Sequence, residues 1–182
     1  MDHADHLKLL TKGIPKPGGE WGEFGSGNGA FTLALAELIG PTGTIYSVDI
    51  NGAVLNEQAR AIQRRFLNNA PKMQYLVADY TQNLDLPALD GVLMANTLHF
   101  QRKKGTILRL ILDYLRPGGS FILVEYNVDR GNSWVPHPIP FKSWEVLAQE
   151  CGYKNTRILA RRPSSFMGKI YSAISYKPGN GD

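Results

Sequence analysis

The run Glu23-Phe24-Gly25-Ser26-Gly27-Asn28-Gly29 holds three alternating glycines, and an acid, Asp49, follows twenty residues after the last of them. Glycine lets the backbone turn through conformations that side chains resist, and lets a ligand lie against the chain with no Cβ in the way. Asp49 closes a candidate strand, Gly43-Thr-Ile-Tyr-Ser-Val-Asp49. A carboxylate at such a tip can accept hydrogen bonds from two ribose hydroxyls. Loop and acid together describe a site for an adenosine-containing cofactor.

Two cofactor chemistries compete for that loop. Gly25-x-Gly27-x-x-Ala30 with an acid downstream satisfies the dinucleotide fingerprint, which sets a pyrophosphate on a helix N-terminus. Glu23 opposes this reading. A carboxylate two residues before the first glycine repels pyrophosphate and can pair with a cation. S-adenosylmethionine offers two cationic groups, an ammonium and a sulfonium.

The elements that must position these residues alternate between strand and helix. Residues 3–13 form a short amphipathic helix, broken by Pro15, Pro17, Gly18 and Gly19. Strand one spans Glu20–Phe24 and is followed by a helix over Asn28–Ile39 with Phe31, Leu35 and Leu38 on one face. Strand two, Thr44–Val48, leads to a helix over Gly52–Asn68. Strand three is Met73–Ala78 and strand four Gly91–Ala95. A helix over Lys103–Leu115 stops at Arg116-Pro-Gly-Gly119, and Ser120–Tyr126 is a continuous apolar run suited to a strand buried on both faces. An irregular segment, Asn127–Pro140, precedes a helix over Phe141–Cys151. Thr156–Arg161 and Lys169–Tyr176 then read as strands, close enough around Pro163-Ser-Ser165 to form a hairpin, so the last strand runs antiparallel. This alternation predicts a doubly wound, mostly parallel seven-stranded α/β sheet between two helix layers, with ligands at the strands' carboxyl ends. The glycine loop, Asp49, Asp79 and Asn96 all fall at such ends.

With that order of elements, the chain resembles the class I S-adenosylmethionine-dependent methyltransferases over about residues 18–177. Glu23 through Gly29 matches the family's acid-x-Gly-x-Gly-x-Gly motif. Val77-Ala-Asp79-Tyr80, the strand-four stretch Asp90 to Phe100, and Leu115-Arg-Pro-Gly-Gly-Ser-Phe-Ile-Leu-Val-Glu125 match further motifs in order. The resemblance implies that Glu23, Phe24, Gly25, Gly27 and Gly29 lie at the methionine portion of the cofactor, and that Asp49 holds the ribose. It places Ile50 beside the adenine, Asp79 at its exocyclic amine and Tyr80 over its ring, with Asn96 completing the set. S-adenosylhomocysteine would be the product. One domain, 1–182, is expected: an N-terminal helix within 1–17, a cofactor-binding half over 18–126 and a substrate-side half over 127–182. Trp21-Gly22 departs from the usual apolar first strand and predicts a looser edge there. The short N-terminal extension leaves a minimal lid, so a partner chain, self-association or the substrate itself is expected to complete the site.

Methyl transfer needs the nucleophile held near the methyl and water kept out, with a base only if a proton must leave. His99, in the loop after strand four, is the base candidate, expected within a few ångströms of the methyl; the alternative is a structural ring bonded to backbone. Tyr126 at the end of strand five and His137 in Pro136-His-Pro138 are weaker candidates. Asp79 could instead cap a turn, and Asp90 is read as a solvated strand-start residue. His3-x-x-His6 is read as a frayed terminus. No Asn-Pro-Pro-Tyr follows strand four, and Cys151 is the only cysteine, which excludes an internal disulfide and any multi-cysteine metal site. No metal is expected.

Composition agrees with one ordinary globular domain: 182 residues, 43% hydrophobic and 20% charged. No apolar run is long enough for a membrane span and no secretory signal opens the chain, so a cytoplasmic location is expected. The formal charge is +4. The clusters Arg60/Arg64/Arg65, Arg102–Lys104 and Arg161–Arg162 are read as solvated faces rather than a nucleic-acid footprint, and a small organic acceptor is favoured. Two other readings stay open: an oxidoreductase using a nicotinamide dinucleotide, and a non-catalytic S-adenosylmethionine-binding domain that completes a partner.

Overall fold

The computed structural model describes residues 1–181. Seven strands lie in one sheet in the order β3-β2-β1-β4-β5-β7-β6. They are β1 (Gly19–Phe24), β2 (Gly43–Asp49), β3 (Lys72–Val77), β4 (Leu89–Ala95), β5 (Leu115–Tyr126), β6 (Lys154–Pro163) and β7 (Lys169–Tyr176). The first five pair in parallel; β7 pairs antiparallel with both β5 and β6. The strand order reverses between β1 and β4, so the loops leaving those two strands diverge and open a crevice.

Successive side chains of a strand point to opposite faces, and β5 divides accordingly. Phe121 and Leu123 join one core with Ile107, Leu108 and Ile111 of α4 (Lys104–Tyr114) and Trp144 of α5 (Phe141–Glu150). Ile122 and Val124 join the other core, with Leu9 and Leu10 of α1 (His3–Leu10), Leu35 and Ile39 of α2 (Ala30–Ile39) and Ile62 of α3 (Gly52–Phe66). The apolar run in β5 therefore serves two hydrophobic layers at once.

Several expectations are corrected here. The first strand is not loose. Trp21 lies over Gly91, where a Cβ would come within 2.4 Å of the indole, and a Cβ on Gly22 would come within 2.9 Å of Leu89. The glycines make room for large neighbours instead of leaving space. Asp90 is not merely solvated: it accepts from the Glu20 N–H at 2.8 Å and from Arg116 at 2.6 Å, tying the starts of three strands together. The N-terminal helix is not frayed. Asp2 caps it by accepting from the Asp5 N–H, Asp5 pairs with Arg162, and His3 lies 2.9 Å from Glu37. β5 also begins earlier than expected, at Leu115, because Gly119 and Gly118 continue the pairing through Lys177. Among the described residues, no helix is long and apolar enough to cross a membrane, and no group of three potential ligands gathers to hold a metal.

Candidate active site

A cavity of about 750 Å³ opens at the carboxyl ends of β1, β2 and β4, a volume suited to a cofactor-sized ligand. The chain leaves β1 into a loop with Gly25, Gly27 and Gly29 all at positive φ (71°, 55° and 88°). Each glycine is required for a different reason. A Cβ on Gly25 would stand 2.2 Å from the Thr97 hydroxyl, and one on Gly29 would stand 2.5 Å from Gln58. A Cβ on Gly27 would meet nothing within 4 Å, so the space in front of Gly27 belongs to the cavity.

A buried polar network holds this loop from behind. Ser47 of β2 donates to the Gln58 carbonyl at 2.7 Å and lies 2.8 Å from the Ser26 hydroxyl. Gln58 in turn donates to the Gly27 carbonyl at 3.4 Å. Asp49 accepts from the Gly27 N–H with one oxygen and from the Asn51 N–H with the other, both at 2.9 Å. Its carboxyl thus shapes the loop while retaining lone pairs for a ligand.

Of the expected site residues, Glu23, Gly25, Gly27, Asp49, Ile50, Asp79, Tyr80 and Asn96 line the cavity. Asp79 accepts from the Thr81 N–H at 2.8 Å, the turn-capping role, and still faces the cavity. Ile50 is 72% exposed at the rim. Tyr80 is buried, its hydroxyl 3.2 Å from the Gln101 amide.

Two acceptors on the wall lack partners. Glu23 Oε2 and Asn96 Oδ1 are buried and make no hydrogen bond among the described residues. Burial pushes the Glu23 carboxyl up to about 8, tempered by the Thr32 hydroxyl, which nevertheless closes no hydrogen bond of its own. Buried acceptors without donors are costly and call for a donor from outside. An ammonium group is a donor of the kind such acceptors take. These acceptors therefore fit the ammonium of S-adenosylmethionine, and Asp49 fits its ribose. Burial thus favours the neutral form of Glu23, and a cation beside it would favour ionisation.

Five candidate residues do not line the cavity. Phe24 is fully buried, edge-on to Tyr114 at 5.9 Å, in the core. Gly29 sits behind the loop against Gln58. His99 is only 2% exposed: both its N–H and its ring Nδ1 go to Glu125, at 3.1 and 2.8 Å. Glu125 is fully buried at the end of β5 and needs donors, so it draws the imidazole inward, away from the cavity. Tyr126 packs between His99 and Phe166. His137 contributes its backbone N–H to the His99 carbonyl at 3.1 Å.

The sequence reading missed others. Gln58 occupies the buried stripe Leu55, Gln58, Ile62 of α3, and a glutamine on an apolar stripe was the available signal. Met1 and His6 of the N-terminal segment reach the cavity, His6 stacked on Phe31 at 4.5 Å, and no sequence pattern announced that.

Residues 21–170 match the model of a family described as a methyltransferase domain, and the chain belongs to that family. The fold is that of the class I S-adenosylmethionine-dependent methyltransferases, and S-adenosylmethionine is the cofactor of that class. A ubiquinone/menaquinone biosynthesis C-methyltransferase of Ectopseudomonas mendocina is 30% identical over 115 residues, 62% of this chain and 43% of that protein. The chain spans less than half the length of the curated relatives it matches. Among solved structures, the YcgJ protein of Bacillus subtilis superposes with a TM-score of 0.76 at 12% identity, covering 98% of this chain and all of that one. The N-methyltransferase NodS of Bradyrhizobium japonicum, solved with S-adenosylhomocysteine, gives 0.73 at 16% identity, covering 97% of this chain and 85% of that one. At these identities the structural likeness establishes the fold alone.

Proposed function

We propose that the protein transfers a methyl group from S-adenosylmethionine to a small organic acceptor, by proximity and orientation. The observation that carries this reading is the pair of unpartnered buried acceptors, Glu23 Oε2 and Asn96 Oδ1, on the wall of the cavity that Asp49 also lines. Bound there, the cofactor supplies a methyl group already activated by the sulfonium charge.

The chain's own residues hold and enclose. Glu23 and Asn96 accept from the ammonium, Asp49 from the ribose, Asp79 and Tyr80 take the adenine side, and the glycine loop gives backbone contact. Such fixing of reactants can replace a base where the acceptor's nucleophilic atom needs none. His99, tied to Glu125, acts as a positioning residue: it pins the turn Leu98–Phe100, which carries Phe100 to the cavity wall. Two of the basic clusters are partly neutralised by ion pairs, Arg65 with Glu37 and Arg162 with Asp5, which favours a small acceptor over nucleic acid.

A thermal-shift comparison tests the reading. S-adenosylmethionine and S-adenosylhomocysteine at about 100 times their dissociation constants should each stabilise the protein by roughly 2.7 kcal/mol, whereas a nicotinamide dinucleotide should not. Stabilisation by the dinucleotide alone would overturn it.

A further inference from the structure

Among the described residues, His6 is the one histidine that lines the cavity. It is 9% exposed, and its ring packs on that of Phe31 with centroids 4.5 Å apart. Its backbone N–H donates to the Asp2 carbonyl at 3.2 Å, but its imidazole makes no hydrogen bond among the described residues. By contrast, Glu125 holds the ring of His99 and Glu37 that of His3. A neutral imidazole has one nitrogen lone pair that can take a proton.

The other titratable side chains on the cavity wall are engaged. Asp49 accepts from two backbone N–H groups and Asp79 from one. Tyr80 shares its hydroxyl with Thr97 and Gln101. Glu23 is 2% exposed, and its unpartnered oxygen is the place for the ammonium.

The fold brings His6 in from the side opposite the adenosine acids. Helix α1 packs on α2, β6 and β7; Leu9 and Leu10 share a core with Ile122 and Val124 of β5, and Asp5 pairs with Arg162 of β6. Asp49 and Asp79 stand at the ends of β2 and β3, in the other half of the sheet. Phe31, against the His6 ring, precedes Thr32, whose hydroxyl faces the Glu23 carboxyl. His6 therefore shares the Glu23 end of the cavity.

Burial, the largest cause, holds the His6 pKa below the ordinary imidazole value; the Met1 amine and His3 act the same way, and Asp5 and Asp2 oppose them. Of the charged groups on facing elements, Arg162 of β6 is paired with Asp5, Glu37 of α2 with His3, and Glu23 of β1 lines the same cavity. The neutral ring, the form that takes a proton, predominates at pH 7.

We propose that His6 takes the proton that the methyl acceptor must lose, and that the acceptor's nucleophilic atom therefore carries an acidic proton, as a phenol does. This inference rests on the methyltransferase reading and names the acceptor's chemical class. The proton passes to the free ring nitrogen of His6, the acceptor's released electron pair forms the bond to the methyl carbon, and the pair of the broken C–S bond stays on sulfur. The imidazolium then returns its proton to water.

NMR titration of the histidine rings tests the placement, with the protein saturated by S-adenosylmethionine and, separately, by S-adenosylhomocysteine. The signal missing in His6→Gln assigns His6. The two ligands differ in charge only at the sulfonium, so the His6 midpoint should lie lower by about half a pH unit or more with S-adenosylmethionine, and His3 should move less. Phenol and thiophenol, as probe acceptors at pH 7.5, test the proton role, because thiophenol ionises there unaided and phenol does not. His6→Gln should slow methylation of phenol roughly 100-fold and that of thiophenol less than about threefold, with S-adenosylhomocysteine affinity unchanged; His6→Asn should repeat the pattern. Equal midpoints in the two complexes, equal losses with the two probes, or transfer to neither would each overturn the inference. Failure to bind either form of the cofactor would instead strike the methyltransferase reading beneath it.

Discussion

The two sides of the cavity are built in opposite ways. On the β1–β2 side, polar groups are tied into one buried network: Ser26, Ser47 and Gln58 behind the loop, and Asp49 bridging the Gly27 and Asn51 amides. Toward β5 and β7 the surface is aromatic: Phe100 on the cavity wall, and Phe166 and Trp134 beyond it, are each more than half exposed. A network that must be complete to be stable permits little change, because each removed partner strands another buried polar group. Exposed rings can be exchanged at little cost to the fold. The first side therefore suits the part of the reaction that a whole class shares, and the second the part that differs from one protein to the next.

This contrast can be broken from either side. The largest effect belongs to Glu23. Its carboxyl is raised from 4.5 to about 8 because burial penalises the ionised form in the folded state alone. Stability is therefore highest below pH 4.5 and falls as pH rises through about 8, by on the order of 5 kcal/mol in all. Urea denaturation of the ligand-free protein at pH 5, 6.5 and 8 should show the decline, and Glu23→Gln should flatten it. An equally steep profile in the variant would assign the dependence elsewhere.

Next comes the pair Gly25 and Gly27. Gly25→Ala drives a Cβ to 2.2 Å from Thr97 at a φ of 71°, and should cost roughly 2–4 kcal/mol, read as a clear fall in melting temperature together with lost cofactor binding. Gly27→Val meets only open cavity at a φ of 55°. It should cost about 1–2 kcal/mol in backbone strain and still abolish S-adenosylhomocysteine binding. Equal melting temperatures for the two variants would refute the distinction between a packing glycine and a ligand glycine.

Asp49→Ala should weaken S-adenosylhomocysteine binding at least tenfold, by roughly 1.5–3 kcal/mol, since it removes acceptors for the ribose and releases the Gly27 amide. Calorimetry is the check. At the small end, Phe166→Ala on the aromatic side should change unfolding free energy by less than about 0.5 kcal/mol. A cost comparable to that of Gly25→Ala would show the aromatic side to be as constrained as the network.

How much of this was legible in the sequence follows the same division. Periodicity and turn residues located every strand and helix, because the apolar run of β5 and the glycine stops are local signals. The glycine loop and Asp49 were legible because their spacing is local too. Other features depended on partners distant in the chain. The sequence leaves His99 as either a base or a structural ring, and Glu125, 26 residues away on another strand, decides for the second by holding its ring. Phe24 lay inside the motif, yet strand alternation turned it into the core. Gly22 suggested slack, whereas Leu89 and Phe24 fill the space.

The central claim is that Glu23 and Asn96 receive a cationic amino-acid group. Titration calorimetry of S-adenosylhomocysteine at pH 7, in two buffers of different ionisation enthalpy, counts the protons exchanged on binding. With the free carboxyl at about 8, nearly one proton should be released as the ammonium ionises Glu23, and Glu23→Gln should bring that count close to zero. Tight binding by the wild-type protein with no proton release would contradict the account.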